Sequence, residues 1–404
     1  MAHGRGGTIQ AIILAAGEGT RLQPFTMSKP KVMLPIGNKP ILAYVVKALV
    51  DNGLVDIIMI VGYKKERIMS FFGDGSKFGA KITYVVQEKQ LGTAHALLQA
   101  KDLVQEDFVL VAGDNIIDKE NILRIIQHDN NPSVLVTDSE EPSKYGVFNL
   151  DDDRVARITE KPELKMGNII NTGAYHFNKD IFLMIEEGVK SGMYGITQVL
   201  RSNIKNIKLD AIRTNKGWSD AVYPWDLIKL NEKFLELHGQ EISGIVEPGV
   251  VLKGPVRIGT GSRIRTGTYL QGPVVIGNGC DIGPHVAIFP STSIGNNVQI
   301  GPFTSINNSL IMNSVKIGSH SHLGNAVIDD GVSIKGALSA FVGPAHVRVE
   351  GEFFKVEEIG AMIGEDTRIH SRVVLTPGSI IGAGCRIGDG ATIRGNLENK
   401  SVVI

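Results

Sequence analysis

The residues with the clearest chemical meaning lie near the amino end, where two glycines and two permanent cations follow an apolar run. The predicted strand Ala11–Leu14 leads into Gly17 and Gly19, and Arg21 and Lys31 follow on the same connection. Two glycines allow a backbone turn to approach a ligand closely, and its N–H groups can then hold phosphate oxygens. Since both cations add fixed positive charge to this turn, the pattern predicts a site for a nucleoside triphosphate.

A second feature is an acid placed directly after an apolar strand. The run Phe108–Val111 is followed by Ala112, Gly113 and Asp114. Carboxylate oxygens and substrate phosphates are ligands that suit Mg²⁺. Asp114 could therefore hold Mg²⁺, although a single acid at this position also suits a cap or turn.

The elements that must position these residues alternate between strand and helix up to about residue 240. Apolar runs predict strands at Ala11–Leu14, Ile57–Val61, Ile82–Val86, Phe108–Val111 and Ser133–Val136. Helices are predicted from Pro40, with a stop at Gly53, and over Thr93–Leu103, which opens at a Gly-Thr pair with free N–H groups. This alternation is typical of a largely parallel sheet, whose ligands bind beyond the carboxyl ends of the strands.

After about residue 245 the pattern changes to a period of six, which is typical of a parallel β-helix. Aliphatic residues recur at 246, 252, 258, 264, 270, 276, 282, 288, 294, 300 and 306, slip by one position at 311, 317 and 323, and resume from 363 to 393. We therefore predict a domain over 1–240 and a hexapeptide-repeat domain over 241–404, with an irregular excursion at about 335–362. Cys280 and Cys385 occupy the slot that Val and Thr hold in other hexads, so we interpret them as small core residues.

Composition limits the remaining possibilities. The chain has 404 residues, of which 42 are Lys or Arg and 42 are Asp or Glu, so a nucleic-acid-binding surface is not expected. No apolar run approaches the roughly 20 residues that span a bilayer, and the amino end lacks a secretory signal core. Two cysteines in so long a chain argue against a disulfide framework and favour a cytoplasmic location.

The opening motif resembles that of the sugar-1-phosphate nucleotidylyltransferases, since Leu14-Ala15-Ala16-Gly17-Glu18-Gly19-Thr20-Arg21-Leu22 is followed by Pro30-Lys31. Tyr223-Pro224-Trp225-Asp226 is similar to archaeal-type members with a carboxyl-terminal left-handed β-helix, such as glucose-1-phosphate thymidylyltransferases and N-acetylglucosamine-1-phosphate uridylyltransferases. The resemblance implies an α/β Rossmann-like nucleotidyltransferase domain with a mostly parallel sheet, followed by that β-helix.

The same resemblance implies roles for particular residues. Arg21 and Lys31 would be catalytic, and Asp220 would join Asp114 in binding Mg²⁺. The nucleotide would be bound by Leu14, Ala15, Ala16, Gly17, Gly19, Thr20, Gln87, Gly92 and Thr93. The sugar phosphate would be bound by Gly146, Glu160, Lys161, Asn171 and Thr172. Because a Gln amide offers both a donor and an acceptor, Gln87 suits a pyrimidine base and favours UTP or dTTP without choosing between them.

The implied reaction transfers a nucleotidyl group from UTP or dTTP to a sugar 1-phosphate, with glucose 1-phosphate and N-acetylglucosamine 1-phosphate both open. One alternative is a bifunctional enzyme that also acetylates glucosamine 1-phosphate from acetyl-CoA. The family's acetyl-transfer His falls on Ser319 here, although His320 or His322 could replace it. A further alternative is a non-catalytic regulatory or binding subunit, but the chain retains Arg21, Lys31 and both acids. The resemblance also implies a homotrimer, because the β-helices of this family pack three side by side.

Overall fold

The chain divides into two compact units. In a computed structural model, residues 9–128, 132–160, 167–236 and 239–404 are described. The first unit comprises Met1–Glu18, Pro30–Met33 and Ile41–Asp220. The second comprises Gly19–Lys29, Leu34–Pro40 and Ala221–Ile404. The sequence pattern predicted a division near residue 240 and gave no sign that Gly19–Lys29 groups with the second unit.

Alternating strands and helices build the chain up to Asp220. The strands are β1 (Gln10–Ala15), β2 (Pro35–Ile36), β3 (Lys39–Pro40), β4 (Asp56–Val61), β5 (Lys81–Val86), β6 (Phe108–Ala112), β7 (Asn115–Ile117), β8 (Ser133–Asp138), β9 (Gly146–Asp151), β10 (Arg154–Glu160), β11 (Ile169–Phe177), β12 (Asp210–Thr214) and β13 (Trp218–Asp220). The helices are α1 (Ile41–Val50), α2 (Lys65–Phe72), α3 (Thr93–Leu98), α4 (Lys119–Gln127), α5 (Ile181–Lys190) and α6 (Ile196–Asn203). Of these, β2 and β3 belong to the second unit.

A mostly parallel sheet forms the centre of the first unit. Its strand order is β5-β4-β1-β6-β11-β8-β12-β10-β9, and all of these strands except β10 and β11 run in one direction. Strand β1 lies between β4 and β6, and nearly all of its residues are buried because helices cover both faces. The predicted strands are confirmed to within two residues at their ends.

One of the two predicted helices is confirmed, and the other is shorter than predicted. Helix α1 begins at Ile41 and ends at Val50, which confirms the helix predicted from Pro40 with a stop at Gly53. Helix α3 ends at Leu98, so the prediction of a helix to Leu103 is wrong. Beyond Leu98 the backbone forms successive i→i+3 bonds, including Lys101 N–H to Leu98 O, and these are turns rather than α-helix.

The second unit is built on a parallel β-helix whose strands stack in three sheets. The first sheet contains Glu241–Ile242, Val256–Ile258, Val274–Ile276, Thr292–Ile294, Leu310–Ile311, Val327–Ile328, Met362–Ile363, Ile380–Ile381 and Asn396–Leu397. The second contains Ile245–Val246, Arg263–Ile264, Asp281–Ile282, Gln299–Ile300, Lys316–Ile317, Ser333–Gly336, Arg368–Ser371, Arg386–Ile387 and Val402–Val403. The third contains Val251–Lys253, Tyr269–Gln271, Ala287–Ile288, Ser305–Asn307, His322–Gly324, Ser339–Ala340, Val374–Leu375 and Thr392–Ile393.

Each coil of this left-handed β-helix spans three hexads, which confirms the six-residue period. Ile258 pairs with Ile276, and Ile276 with Ile294, so that one aliphatic column is buried along the axis. The next coil is one residue shorter, because Ile294 pairs with Ile311. Cys280 and Cys385 lie in the same buried column as free thiols, which confirms their interpretation as core residues.

A β-hairpin interrupts the coils inside the segment where the period breaks. Its antiparallel strands are Gly343–Val349 and Glu352–Ile359. The coil strand Ser339–Ala340 precedes the hairpin, and the coils resume with Met362–Ile363, which pairs with Val327–Ile328. The break is therefore narrower than the predicted 335–362. Helix α7 (Asp226–Leu235) also belongs to this unit. Among the described residues, none of the helices combines the length and apolar character that a bilayer crossing requires.

Candidate active site

Lys31 and two acids converge in the first unit. The Lys31 ammonium Nζ donates to Asp114 Oδ2 and to Asp220 Oδ1, each at 2.6 Å. Lys31 begins a 3₁₀ turn, and Asp114 lies between β6 and β7. Asp220 ends β13, which pairs with β7 so that Asp220 faces Asn115. Three separate segments thus bring one cation and two carboxylates together just beyond the end of a central strand.

The electrostatics of this cluster keep Lys31 charged. Burial opposes a positive charge, but the carboxylates of Asp114 and Asp220 outweigh it and hold the Lys31 pKa above its ordinary value. The Lys31 side chain is only 12% exposed, whereas that of Asp114 is 34% exposed. The cluster is therefore anchored on the protein side and open to solvent on the side of Asp114.

The donor set of this cluster fits Mg²⁺. Asp114 and Asp220 offer hard carboxylate oxygens close enough for one cation, the Lys31 ammonium, to contact both. Mg²⁺ is usually held by one or two carboxylates, with substrate phosphates and waters as further ligands.

The strand that leads to the glycine turn is fixed by neighbouring backbone. Gly113 N–H donates to Leu14 O at 2.9 Å, and Tyr63 N–H donates to Ala16 O at 3.1 Å. A Cβ on Gly113 would lie 3.0 Å from Leu14 O, so glycine permits this approach. Ala15 is buried, whereas Gly17 is exposed with open space around it. The segment from Leu14 to Gly17 therefore changes from buried strand to accessible turn.

The next residues of the motif are grouped with the second unit. Gly19 has a left-handed backbone, with φ 74°, and it precedes the 3₁₀ turn Thr20–Leu22 that carries Arg21. The Thr20 hydroxyl donates to Glu350 Oε1. The predicted roles of Gly19, Thr20 and Arg21 rest on the sequence motif.

Gln87, Gly92 and Thr93 all have structural partners within the first unit. Gln87 is buried, and its Nε2 donates to Gly92 O and lies 2.9 Å from His95 Nδ1. A Cβ on Gly92 would lie 2.5 Å from Tyr194 O, so glycine here permits the Tyr194 backbone to approach. The Thr93 hydroxyl accepts from Ile196 N–H.

The prediction that the first N–H groups of α3 are free is wrong. Ala94 N–H and His95 N–H both donate to Tyr194 O, at 2.7 and 3.3 Å. The carbonyl of a residue distant in sequence thus satisfies the helix end, which nothing in the Gly-Thr motif indicates.

The residues predicted for the sugar phosphate fall on three strands. Gly146 pairs with Glu160 across β9 and β10, and the exposed Glu160 ends its strand. On β11, Asn171 Nδ2 donates to the Tyr175 hydroxyl. Thr172 is buried and its hydroxyl donates to Leu135 O, so that hydroxyl is used internally. Lys161 lies outside the described residues.

The sequence did not predict that the side chains of Asn115 and Trp218 connect the strands around the acids. Asn115 Nδ2 and Trp218 Nε1 both donate to Thr172 O, at 2.5 and 3.1 Å. They connect the strand pair that carries Asp220 to β11. Their closeness in sequence to the predicted acids was the available signal, since Asn115 directly follows Asp114 and Trp218 lies two residues before Asp220.

His320 and His322 lie on the β-helix. His320 has φ 58° at a coil corner, and its ring stacks on Phe303 with centroids 5.1 Å apart. His322 is exposed on a strand between Ser305 and Ser339 of the neighbouring coils.

Comparison with known protein families assigns the first part of the chain. The family model described as "Nucleotidyl transferase" matches residues 10–236. The chain belongs to the nucleotidyl transferase family. Two further models match the β-helix of this nucleotidyl transferase: "GMPPB C-terminal domain" over 270–340 and "Bacterial transferase hexapeptide (six repeats)" over 360–395.

Similar proteins support the same assignment over the whole chain. "Bifunctional protein GlmU" of Methanococcus maripaludis strain C7 is 40% identical over 406 aligned positions, which cover 98% of this chain and 97% of that protein. "Glucose-1-phosphate thymidylyltransferase" of Streptomyces antibioticus is 34% identical over 265 positions, covering 63% of this chain and 74% of that protein. A solved Bacillus anthracis structure, assigned as a glucose-1-phosphate thymidylyltransferase in complex with sucrose, has a TM-score of 0.51 and 30% identity, covering 55% of this chain and 94% of its own.

Proposed function

We propose that this nucleotidyl transferase uses Mg²⁺ to transfer a nucleotidyl group from UTP or dTTP to a sugar 1-phosphate, giving an NDP-sugar and pyrophosphate. One observation carries the proposal: Lys31 Nζ lies 2.6 Å from carboxylate oxygens of both Asp114 and Asp220. A cation and two acids thus meet just past a strand end of the sheet, where α/β folds bind ligands. The relative named as a glucose-1-phosphate thymidylyltransferase supports a sugar 1-phosphate as the acceptor.

The chemistry needs charge and position more than a strong base. An oxygen of the sugar 1-phosphate, already anionic, forms a bond to the α-phosphorus, and the bond from that phosphorus to the bridging oxygen breaks as pyrophosphate leaves. Preorganised positive charge is the main requirement for joining two polyanions. Bound by Asp114 and Asp220, Mg²⁺ would supply positive charge to both reacting phosphates. Lys31 would stay protonated in the neutral range, because its pKa is raised, and would hold further positive charge beside them.

The substrates are proposed at the level of class. Gln87 favours a pyrimidine base and the glycine turn favours a triphosphate, and both UTP and dTTP remain candidates. Glucose 1-phosphate and N-acetylglucosamine 1-phosphate are both retained as acceptors. Gly146, Glu160, Lys161, Asn171 and Thr172 are the proposed sugar-phosphate residues.

A matrix of nucleotides and sugar phosphates tests the proposal, with pyrophosphate release measured with and without Mg²⁺. We expect release with UTP or dTTP, dependence on Mg²⁺ and loss in Asp114→Asn. The exposed Asp102 provides a matched control, because Asp102→Asn makes the same change at an acid that is not part of the cluster. Absence of release with every pair, or full activity of Asp114→Asn, would contradict it.

Acetyl transfer is a second candidate, favoured by a groove on the β-helix. This groove of about 520 Å³ is lined by Arg265, Asp281, Gln299 and Lys316, among others. Arg265 is held by Asp281 at 2.7 and 2.8 Å, so Lys316 is the cation more available to an anionic cofactor. The relatives named as bifunctional add support. Acetyl-CoA with glucosamine 1-phosphate should then give free thiol, and His322→Ala should reduce it; absence of thiol in the unaltered protein would exclude the activity.

We also propose that the protein is a trimer assembled through its β-helix. Apolar side chains are exposed on the coils, including Phe303 and Val251, and this supports a face that other subunits cover. Light scattering after gel filtration should give three times the mass of 43.6 kDa. A monomer at every concentration tested would contradict this proposal.

A further inference from the structure

We infer that Glu350 and Asp329 of the β-helix unit are positioning residues for the segment Gly19–Lys29, which carries part of the predicted nucleotide-binding motif. This inference rests on the proposed function, because it assumes that Gly19, Thr20 and Arg21 act on the triphosphate.

The amino-terminal end of this segment is held by the hairpin. The Thr20 hydroxyl donates to Glu350 Oε1 at 2.5 Å, although the two residues are 330 positions apart. Glu350 and Gly351 form the two-residue hairpin turn, with φ 49° and 91°. Positive φ at both positions is typical of a type I′ turn, which favours Asn, Asp or Gly. Turn propensity therefore does not explain a Glu at residue 350, whereas its contact with Thr20 does.

The hairpin is firmly packed, so its tip can serve as a fixed point. Phe354 packs against Tyr223 with ring centroids 4.4 Å apart, and against Trp225 at 6.2 Å. At the coil, Asn396 Nδ2 donates to Arg348 O at 3.0 Å, and Val347 is fully buried. These contacts attach the hairpin both to the amino end of α7 and to the last coils of the β-helix.

The carboxyl-terminal end of the segment is held by an ion cluster on the coils. Lys29 Nζ donates to Asp329 Oδ1 at 2.6 Å and to Asp330 Oδ2 at 2.5 Å. The side chains of Lys29 and Asp329 are 8% and 1% exposed. Between the two ends, Leu22 and Phe25 are fully buried. The segment is thus fixed at Thr20, at its apolar middle and at Lys29. The acids that bind Thr20 and Lys29 all lie in the second unit.

Steady-state kinetics on Glu350 variants tests the positioning role in the intact protein. We expect Glu350→Ala to raise the KM for the nucleotide about 3- to 10-fold, as for loss of a single hydrogen bond. The KM for the sugar 1-phosphate and the melting temperature should remain unchanged. Glu350→Gln keeps an acceptor and should restore most of the nucleotide KM. Glu352→Ala, an exposed acid of the same hairpin, is the matched control and should behave as the unaltered protein.

Hydrogen exchange separates failure of this inference from failure of the proposed function. In Glu350→Ala and Asp329→Asn, backbone amides of residues 19–29 should exchange faster than in the unaltered protein. Faster exchange supports positioning even if no substrate pair releases pyrophosphate, a result that would overturn only the proposed function. The inference would be overturned if exchange, or the nucleotide KM, were unchanged in Glu350→Ala. A lower nucleotide KM would also overturn it, since that result means that Glu350 competes with the triphosphate.

Discussion

Two lysines only two residues apart in sequence make the same kind of contact in different units. Lys31 holds Asp114 and Asp220, whereas Lys29 holds Asp329 and Asp330. Asp114 and Asp220 come from distant segments that meet beyond the end of a central strand, and the Asp114 side chain remains 34% exposed. Asp329 and Asp330 are consecutive residues on a coil, and Asp329 is only 1% exposed.

The two clusters differ in accessibility, as expected if the Lys31 cluster is the proposed catalytic site and the Lys29 cluster is structural. Among the described residues, Asp329 Oδ2 has no hydrogen-bond partner, so Lys29 is the main compensation for this buried charge. Of the two acids on Lys31, Asp114 is instead accessible to solvent, with 34% of its side chain exposed. The same substitution of the lysine should therefore mainly reduce stability in the Lys29 cluster and mainly reduce catalysis in the Lys31 cluster.

The largest effect is expected from Lys29→Met. Removing the cation leaves Asp329 as an uncompensated buried charge, which typically costs about 3–5 kcal/mol of unfolding free energy. Urea denaturation of the purified variant measures the loss. The double variant Lys29→Met/Asp329→Asn should recover a large part of it, and a single variant as stable as the unaltered protein would remove the structural assignment of this cluster.

Lys31→Met should reduce turnover strongly and stability less. Loss of one preorganised charge donor typically lowers kcat about 10²- to 10³-fold. The destabilisation should be smaller than in Lys29→Met, because Asp114 can be hydrated. Pyrophosphate release and urea denaturation on the same samples compare the two effects, with Lys205→Met as a surface-lysine control. A folded Lys31→Met protein with normal turnover would contradict the catalytic role of Lys31.

The buried acid should also give the protein a characteristic pH dependence. Burial raises the pKa of Asp329 to about 6 from 3.8, although Lys29 partly offsets this, so the folded state binds the proton more tightly than the unfolded chain. Its contribution to the unfolding free energy should therefore fall by up to about 3 kcal/mol as pH rises from about 4 to about 6. Asp329→Asn cannot titrate and should lack this part of the slope. Parallel stability curves for the two proteins would contradict the prediction.

The smallest effect is expected at an exposed pair that serves as a reference. Lys47 of α1 contacts Asp51, the residue directly after the helix, at 2.8 Å, and the Lys47 side chain is 70% exposed. Lys47→Met should change the unfolding free energy by less than about 0.5 kcal/mol, because solvent screens such i,i+4 pairs. A loss comparable with that of Lys29→Met would show that burial does not explain the difference between the clusters.

The features that the sequence predicted correctly are those that depend on local sequence patterns. The six-residue period predicted the coils and the buried places of Cys280 and Cys385, since each aliphatic position repeats one structural unit. The apolar run before Asp114 predicted its place beyond a strand end, because chain order alone sets that relation.

Long-range contacts account for what the sequence did not predict. Tyr194 O satisfies the first N–H groups of α3, and Glu350 receives the Thr20 hydroxyl, yet neither partner is near in sequence. The grouping of Gly19–Lys29 with the β-helix depends on such contacts. The short α3 likewise reflects turns after Leu98 that amphipathic spacing does not reveal.

The hairpin leaves the β-helix without disturbing its register. Ala340 still pairs with Leu375, although the hairpin lies between them in the chain. Because each coil is hydrogen-bonded to the coils above and below, a corner can accept extra residues for little more than the entropy of closing a loop. Such corners allow a new arm to arise by simple insertion during evolution, while the column beneath keeps its shape.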